Sequence, residues 1–182
     1  HAVFGEFSSK FARAARAPHL SEPLVVEAAP GSRAELDAAA RSDEAASIDT
    51  WALVQNETST GVASPVRRPR DASGAPAAGL TIVDATSAAG CVAWDPLEAD
   101  AYYFSPQKGI GADGGLWIAP LSPAALQRAD RMEAARFIPG SLSLWSAIRE
   151  SRKDQTLNTP AITTLLLAAE QIDWLNGSGG LP

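Results

Sequence analysis

Apolar and polar positions along the chain fall into two kinds of block. In "EFSSKFARAARA", "RAELDAAARS", "SPAALQRADRMEAARF", "SLWSAIRESRK" and "AITTLLLAAEQIDWL" the composition and the spacing of the apolar residues predict helices. Several of these carry end signals. Ser32 and Glu35 form a capping-box pattern ahead of the second, Ser122 and Pro123 supply an N-cap and a first-turn proline to the third, and Thr159 and Pro160 open the last, which closes at Asn176 and Gly177.

Between them lie short apolar runs with strand character. "PLVVEAA" (Pro23 to Ala29), "TWALVQ" (Thr50 to Gln55), "GLTIVDATS" (Gly79 to Ser87), "DAYYF" and "LWIAPL" are bounded by polar or glycine-containing segments, and "GSGGLP" ends the chain as a loop. Strands separated by helices predict an α/β sheet with helices on both faces. Ligands of such sheets gather beyond the carboxyl ends of the strands. The polar loops after Gln55, Val83 and Phe104 are therefore the places to look for chemistry.

Composition narrows the field. With 182 residues and 46% hydrophobic positions the chain can bury a core, as one domain or a large piece of one. A net charge of -6 and scattered basic residues argue against a nucleic-acid surface, and the one basic run, "RRPR" at Arg67 to Arg70, is expected to be a solvated loop. Cys91 is the single cysteine and His1 and His19 are the only histidines. No metal site and no Ser-His-Asp or Cys-His engine is expected from so few ligands. No apolar run reaches the roughly 20 residues of a membrane span, and a signal-peptide pattern is missing, so a cytoplasmic protein is expected. The opening "HAVFGEF" lacks Met, which suggests residues upstream.

The segment "YYFSPQKGIGADGGLW" contains Gly109, Gly111 and Gly114 at the spacing G-x-G-x-x-G. A dinucleotide loop of that spacing needs a helix directly after it. Here the strand-like "LWIAPL" follows, and no Ser or Thr follows a lysine as in a P-loop. The glycines instead predict a tight turn between two strands that displays Lys108 beside a closely approachable backbone. Asp84 ends "LTIVD" 24 positions earlier. A lysine after one strand and a carboxylate at the end of another suit pyridoxal phosphate (PLP), with the lysine as Schiff-base former and the carboxylate keeping the pyridine nitrogen protonated.

Four motifs in order, "NETSTG", "VDATSAAG", "YYFSPQKGIGADGGLW" and "SRKDQTLNTP", together resemble phosphoserine aminotransferases, in wording closest to the actinobacterial branch. The likeness covers nearly the whole chain. It implies the α/β fold of fold-type I PLP-dependent enzymes, a mainly parallel sheet flanked by helices in three layers. Residues 1–182 would be the central part of the large, PLP-binding domain, with the family's N-terminal segment and C-terminal small domain outside the chain.

By the same resemblance, Lys108 would carry the cofactor, Gln107 would lie beside its phosphate, Asp84 would pair with the pyridinium nitrogen and Thr58 would bond the ring hydroxyl. Phe7, in "GEFSS", falls where the family stacks an aromatic on the ring, and Asn158 and Thr159 would reach the phosphate of the opposite subunit in a homodimer with a shared site. The implied reaction is amino transfer between glutamate and 3-phosphohydroxypyruvate, giving 2-oxoglutarate and phosphoserine on the way to serine. Alternatives are another class V PLP aminotransferase, or a noncatalytic large-domain fragment that acts as a dimerising scaffold. A desulfurase usually has His before the lysine, where this chain has Gln107.

Overall fold

Three of the apolar runs form one parallel sheet in the computed structural model, which describes residues 1–18 and 20–181. His19, discounted above as a metal ligand, and Pro182, the last residue of the expected terminal loop, lie outside the described residues. The chain runs β1 (Ala2–Val3), α1 (Glu6–Ala14), β2 (Val26–Glu27), α2 (Asp37–Ala40), β3 (Thr50–Val54), β4 (Asn56–Glu57), β5 (Val62–Ala63), β6 (Leu80–Asp84), β7 (Ala101–Tyr103), α3 (Pro123–Ala135), α4 (Leu144–Ser151) and α5 (Ile162–Gly177).

Sheet order is β3-β6-β7, with Val54 opposite Asp84 and Asp84 opposite Tyr103. Parallel pairing in this register brings the carboxyl ends of all three strands to one edge. Trp51, Ala52, Leu53 and Val54 are all buried, and Val83 and Ala85 expose nothing. Runs that are apolar on both faces are what a parallel strand covered on both sides requires. α1 packs on β3 with Ser8 and Ala12 buried, and its Phe11 meets Tyr103 edge-on at 5.9 Å between ring centroids. Trp94 stacks on Tyr102 at 3.9 Å, and the buried Tyr102 hydroxyl donates to Gln55 Oε1 at 2.7 Å, so both polar groups enter the core satisfied. Among the described residues no helix is long and apolar enough to cross a membrane.

Several sequence expectations shift. "PLVVEAA" yields only β2, half exposed and paired in parallel with β1 rather than buried in the main sheet. The Ser32–Glu35 box does not form: Glu35 pairs with Arg33, and the short α2 starts after Leu36 without a side-chain cap. "LWIAPL" is not a regular strand, because Pro120 cannot donate to a ladder. It still bridges β7 and the residue after it in antiparallel fashion, at Phe104–Ile118 and Ala101–Leu121. Ser122 caps α3 as expected, accepting from the Ala125 amide at 3.2 Å. Thr159 does not cap α5, whose N-cap is Ala161.

The arginine run is also not a solvated loop. Arg68 donates through Nη1 to Asp100 Oδ2 at 2.6 Å and through Nε to the Leu97 carbonyl, Arg70 reaches Glu98 at 2.8 Å, and Arg67 reaches Asp37 at 3.3 Å. Burial pushes the Asp100 carboxyl up, but hydrogen bonds from Arg68, the Thr81 amide and Ser122 outweigh it and hold the group below the usual carboxylate range. The run ties the start of β7 to α2 and β6. Its acidic partners lie some thirty residues away in sequence, so composition alone showed arginines and no counterions.

Candidate active site

Each of the three strand ends delivers one polar side chain to a common corner. After β3 the chain makes the β4–β5 hairpin, whose turn displays Thr58. β6 ends at Asp84 and runs into a tight turn carrying Ser87. After β7 comes the glycine loop carrying Lys108. Lys108 Nζ donates to Ser87 Oγ at 2.7 Å, and Ser87 Oγ lies 2.7 Å from Thr58 Oγ1. Phe7, in the first turn of α1, faces the same corner: Lys108 Nζ is 5.5 Å from its ring centroid and Lys10 Nζ is 5.3 Å from it. Both distances lie within cation–π range. The ring is 40% exposed.

Close backbone packing fixes the lysine. A Cβ on Gly109 would stand 2.3 Å from the Ala89 carbonyl oxygen and 2.5 Å from Cys91 Sγ. Only glycine lets the Lys108 loop lie directly on the Ser87 turn. On its far side the loop is held by α5, where Thr164 Oγ1 donates to the Gly114 carbonyl at 3.1 Å. The first glycine of the G-x-G-x-x-G spacing thus serves loop-on-loop packing, in keeping with a lysine-displaying turn.

Asp84 sits at the end of the central strand. Its Oδ1 accepts from the Thr86 amide at 2.9 Å. Tyr103, its register partner on β7, has its phenol pushed far above the usual range by burial and by the neighbouring Asp84 carboxylate. The phenol therefore stays protonated beside Asp84. Gln107 is exposed next to Lys108 and lies over Gly114. Of the residues singled out from the sequence, Lys108 meets the Phe7 ring directly and reaches Thr58 through Ser87, while Asp84 and Gln107 flank them. Asn158 and Thr159 are exposed between α4 and α5 and take no part in the Lys108 hydrogen-bond chain of this subunit.

Two residues in the quoted motifs had no assigned part. Ser87 links lysine and threonine, and nothing but its place in "VDATSAAG" marks it. Glu57 is fully buried beneath Thr58 and accepts from the Phe7 and Ser8 amides and from the Ser8 and Ser59 side chains. Burial pushes its carboxyl up, yet hydrogen bonds from Ser59, Ser8 and Phe7 outweigh this and lower it to about 2. A glutamate between a strand and a turn ordinarily faces water, so its sequence position gives no hint of burial.

No family model matches the chain. A Mycolicibacterium vanbaalenii protein is 55% identical over 183 aligned positions, covering 100% of this chain and 47% of that protein. The phosphoserine aminotransferase of a Nocardioides species is 52% identical over the same extent, again with 47% of its length covered. Among solved structures, a phosphoserine aminotransferase from Cytophaga hutchinsonii superposes with a TM-score of 0.81 at 26% identity, over 96% of this chain and 48% of that one. The chain thus spans about half the length of the curated relatives it matches. It has the fold-type I architecture, a parallel sheet with flanking helices. Over the segment that it spans, the chain is similar throughout to proteins named as phosphoserine aminotransferases.

Proposed function

We propose that the chain is the central part of the cofactor-binding domain of a cytoplasmic, homodimeric phosphoserine aminotransferase that uses PLP to move an amino group between glutamate and 3-phosphohydroxypyruvate. The observation that carries this is the Lys108–Ser87–Thr58 chain beside the partly exposed ring of Phe7, at the edge where three parallel strands end. The residues fit the group. A primary amine can bond an aldehyde, Thr58 offers a hydroxyl to a phenolic oxygen, Asp84 offers a carboxylate to a ring nitrogen, and Phe7 offers a plane to stack on.

PLP supplies an electron sink for the bond between the substrate's α carbon and its hydrogen. The chain's own residues do the rest. Lys108 would serve as the base that removes the proton from the substrate's α carbon and redelivers it in the course of amino transfer. Ser87 accepts a hydrogen bond from Lys108 and so aims the amine between turns. Asp84, held by the Thr86 amide, would keep a proton on the cofactor's ring nitrogen. Phe7 shields one face of the site from water. Gln107 supplies a donor at the phosphate end.

The test is product formation by the full-length protein. Glutamate with 3-phosphohydroxypyruvate should give phosphoserine and 2-oxoglutarate, with glyoxylate and pyruvate poor acceptors. Preference for glyoxylate or pyruvate would move the protein to another class V aminotransferase, and turnover of none would leave the scaffold alternative.

Asn158 and Thr159 are proposed to serve the partner's site. The support is indirect: they are exposed, they are not hydrogen-bonded to their own Lys108, and Thr159 is free of the capping role. Exposed apolar residues on the helix that follows, Ile162, Leu166 and Trp174 of α5, give a surface that a partner would cover. Mixing inactive Lys108→Ala subunits with inactive Asn158→Ala/Thr159→Ala subunits should restore activity, because one of the two sites in a mixed dimer then carries neither lesion. Confirmed subunit exchange with no returning activity would assign the pair to its own chain.

A further inference from the structure

We propose that Glu57 is a positioning residue that sets the Phe7 ring against Thr58 and Lys108, and so governs how tightly and in what orientation PLP is held. This rests on the reading of that corner as the cofactor site. Helix α1 begins with three amides that have no partner within the helix, those of Glu6, Phe7 and Ser8. All three end on the turn that displays Thr58. The Glu6 amide donates to Ser59 Oγ at 2.9 Å, that of Phe7 to Glu57 Oε1 at 3.2 Å, and that of Ser8 to Glu57 Oε2 at 2.8 Å. The same carboxylate accepts from Ser8 Oγ at 2.8 Å and from Ser59 Oγ at 2.6 Å.

Contact at the clasp is close enough that a Cβ on Gly5 would stand 2.4 Å from Glu57 Cγ and 2.5 Å from Ser59 Oγ. Thr58 lies between the two clasping residues. Its neighbours grip α1 while its own hydroxyl points the other way, to Ser87 and Lys108. One buried carboxylate therefore fixes the ring-stacking wall and the hydroxyl-bearing wall relative to each other. A simple helix cap would affect stability alone. A positioning clasp affects stability and, separately, what Phe7 does to the cofactor.

The experiment is a double-mutant cycle in the full-length protein with Glu57→Gln and Phe7→Ala. The readouts are the PLP dissociation constant, the visible circular dichroism of the bound cofactor and the unfolding midpoint of the cofactor-free form. Glutamine keeps the shape but places an N–H group among donors, so Glu57→Gln should weaken PLP binding by about tenfold and alter the dichroism when Phe7 is present. In the Phe7→Ala background it should leave PLP binding unchanged, while lowering the cofactor-free midpoint equally in both. Loss of stability with unchanged affinity and dichroism, or an equal loss of affinity in both backgrounds, overturns the proposal. If Phe7→Ala itself changes neither affinity nor dichroism, the assignment of the cofactor corner fails and this proposal with it. Should Glu57→Gln not fold, Ser59→Ala removes one donor from the clasp and is read through the same cycle.

Discussion

In the full-length protein, Lys108→Ala should lower the rate of amino transfer by about 10⁴-fold, since in the proposed function it removes both the covalent anchor and the base that moves the α proton. The substitution should leave the fold intact. Lys108 is exposed, its Nζ bonds only Ser87 and faces the Phe7 ring, and neither contact contributes to the buried core. The close packing in this loop belongs to Gly109, which the substitution does not touch. Borohydride reduction of the unmodified, PLP-loaded protein should place a pyridoxyl label on the peptide that carries Lys108. A label on Lys10, the other amine near the Phe7 ring, would show that the wrong lysine has been assigned. Full activity in Lys108→Ala would remove the central element of the proposed function.

The elements that carry the site were legible because local pattern and tertiary context agree in them. "TWALV" and "LTIVD" are apolar on both faces, which only a covered parallel strand satisfies, and their polar ends mark the edge where Thr58, Asp84 and Lys108 collect. Local signals misled where a distant partner decides. Ser32 and Glu35 have capping-box spacing, but Arg33 takes the glutamate and the helix forms a turn later. The arginine run found its counterions on the approach to β7 and in α2. Glu57 shows the limit most sharply, because its burial depends on a glycine and two serines, one of them about fifty positions away, that leave room and donors for it. Ser87 was within a recognised motif, but its part emerges only when Gly109 brings two loops into contact.

The Asp84→Asn variant should keep its fold and its affinity for PLP, yet lose about 10²–10³-fold in the half-reaction with glutamate. Stability should persist because asparagine keeps an oxygen for the Thr86 amide, the donor that holds the side chain at the end of β6. Affinity should persist because Lys108 still forms the covalent link and Phe7 still offers its face. What disappears is the negative charge. Tyr103 cannot replace it, since burial and the Asp84 carboxylate keep its phenol protonated, and the exchange to asparagine removes one of those two influences while leaving the other. An amide at this position cannot hold a proton on a facing ring nitrogen, so the electrons released with the α proton have a poorer acceptor. Single-turnover measurement with glutamate isolates that step from product release. A rate close to that of the unmodified protein would show that Asp84 is a strand-end hydrogen-bond acceptor and that the ring partner must be sought elsewhere. A rate loss matched by an equal loss of PLP affinity would place Asp84 in cofactor binding and not in the electron-withdrawing role assigned to it.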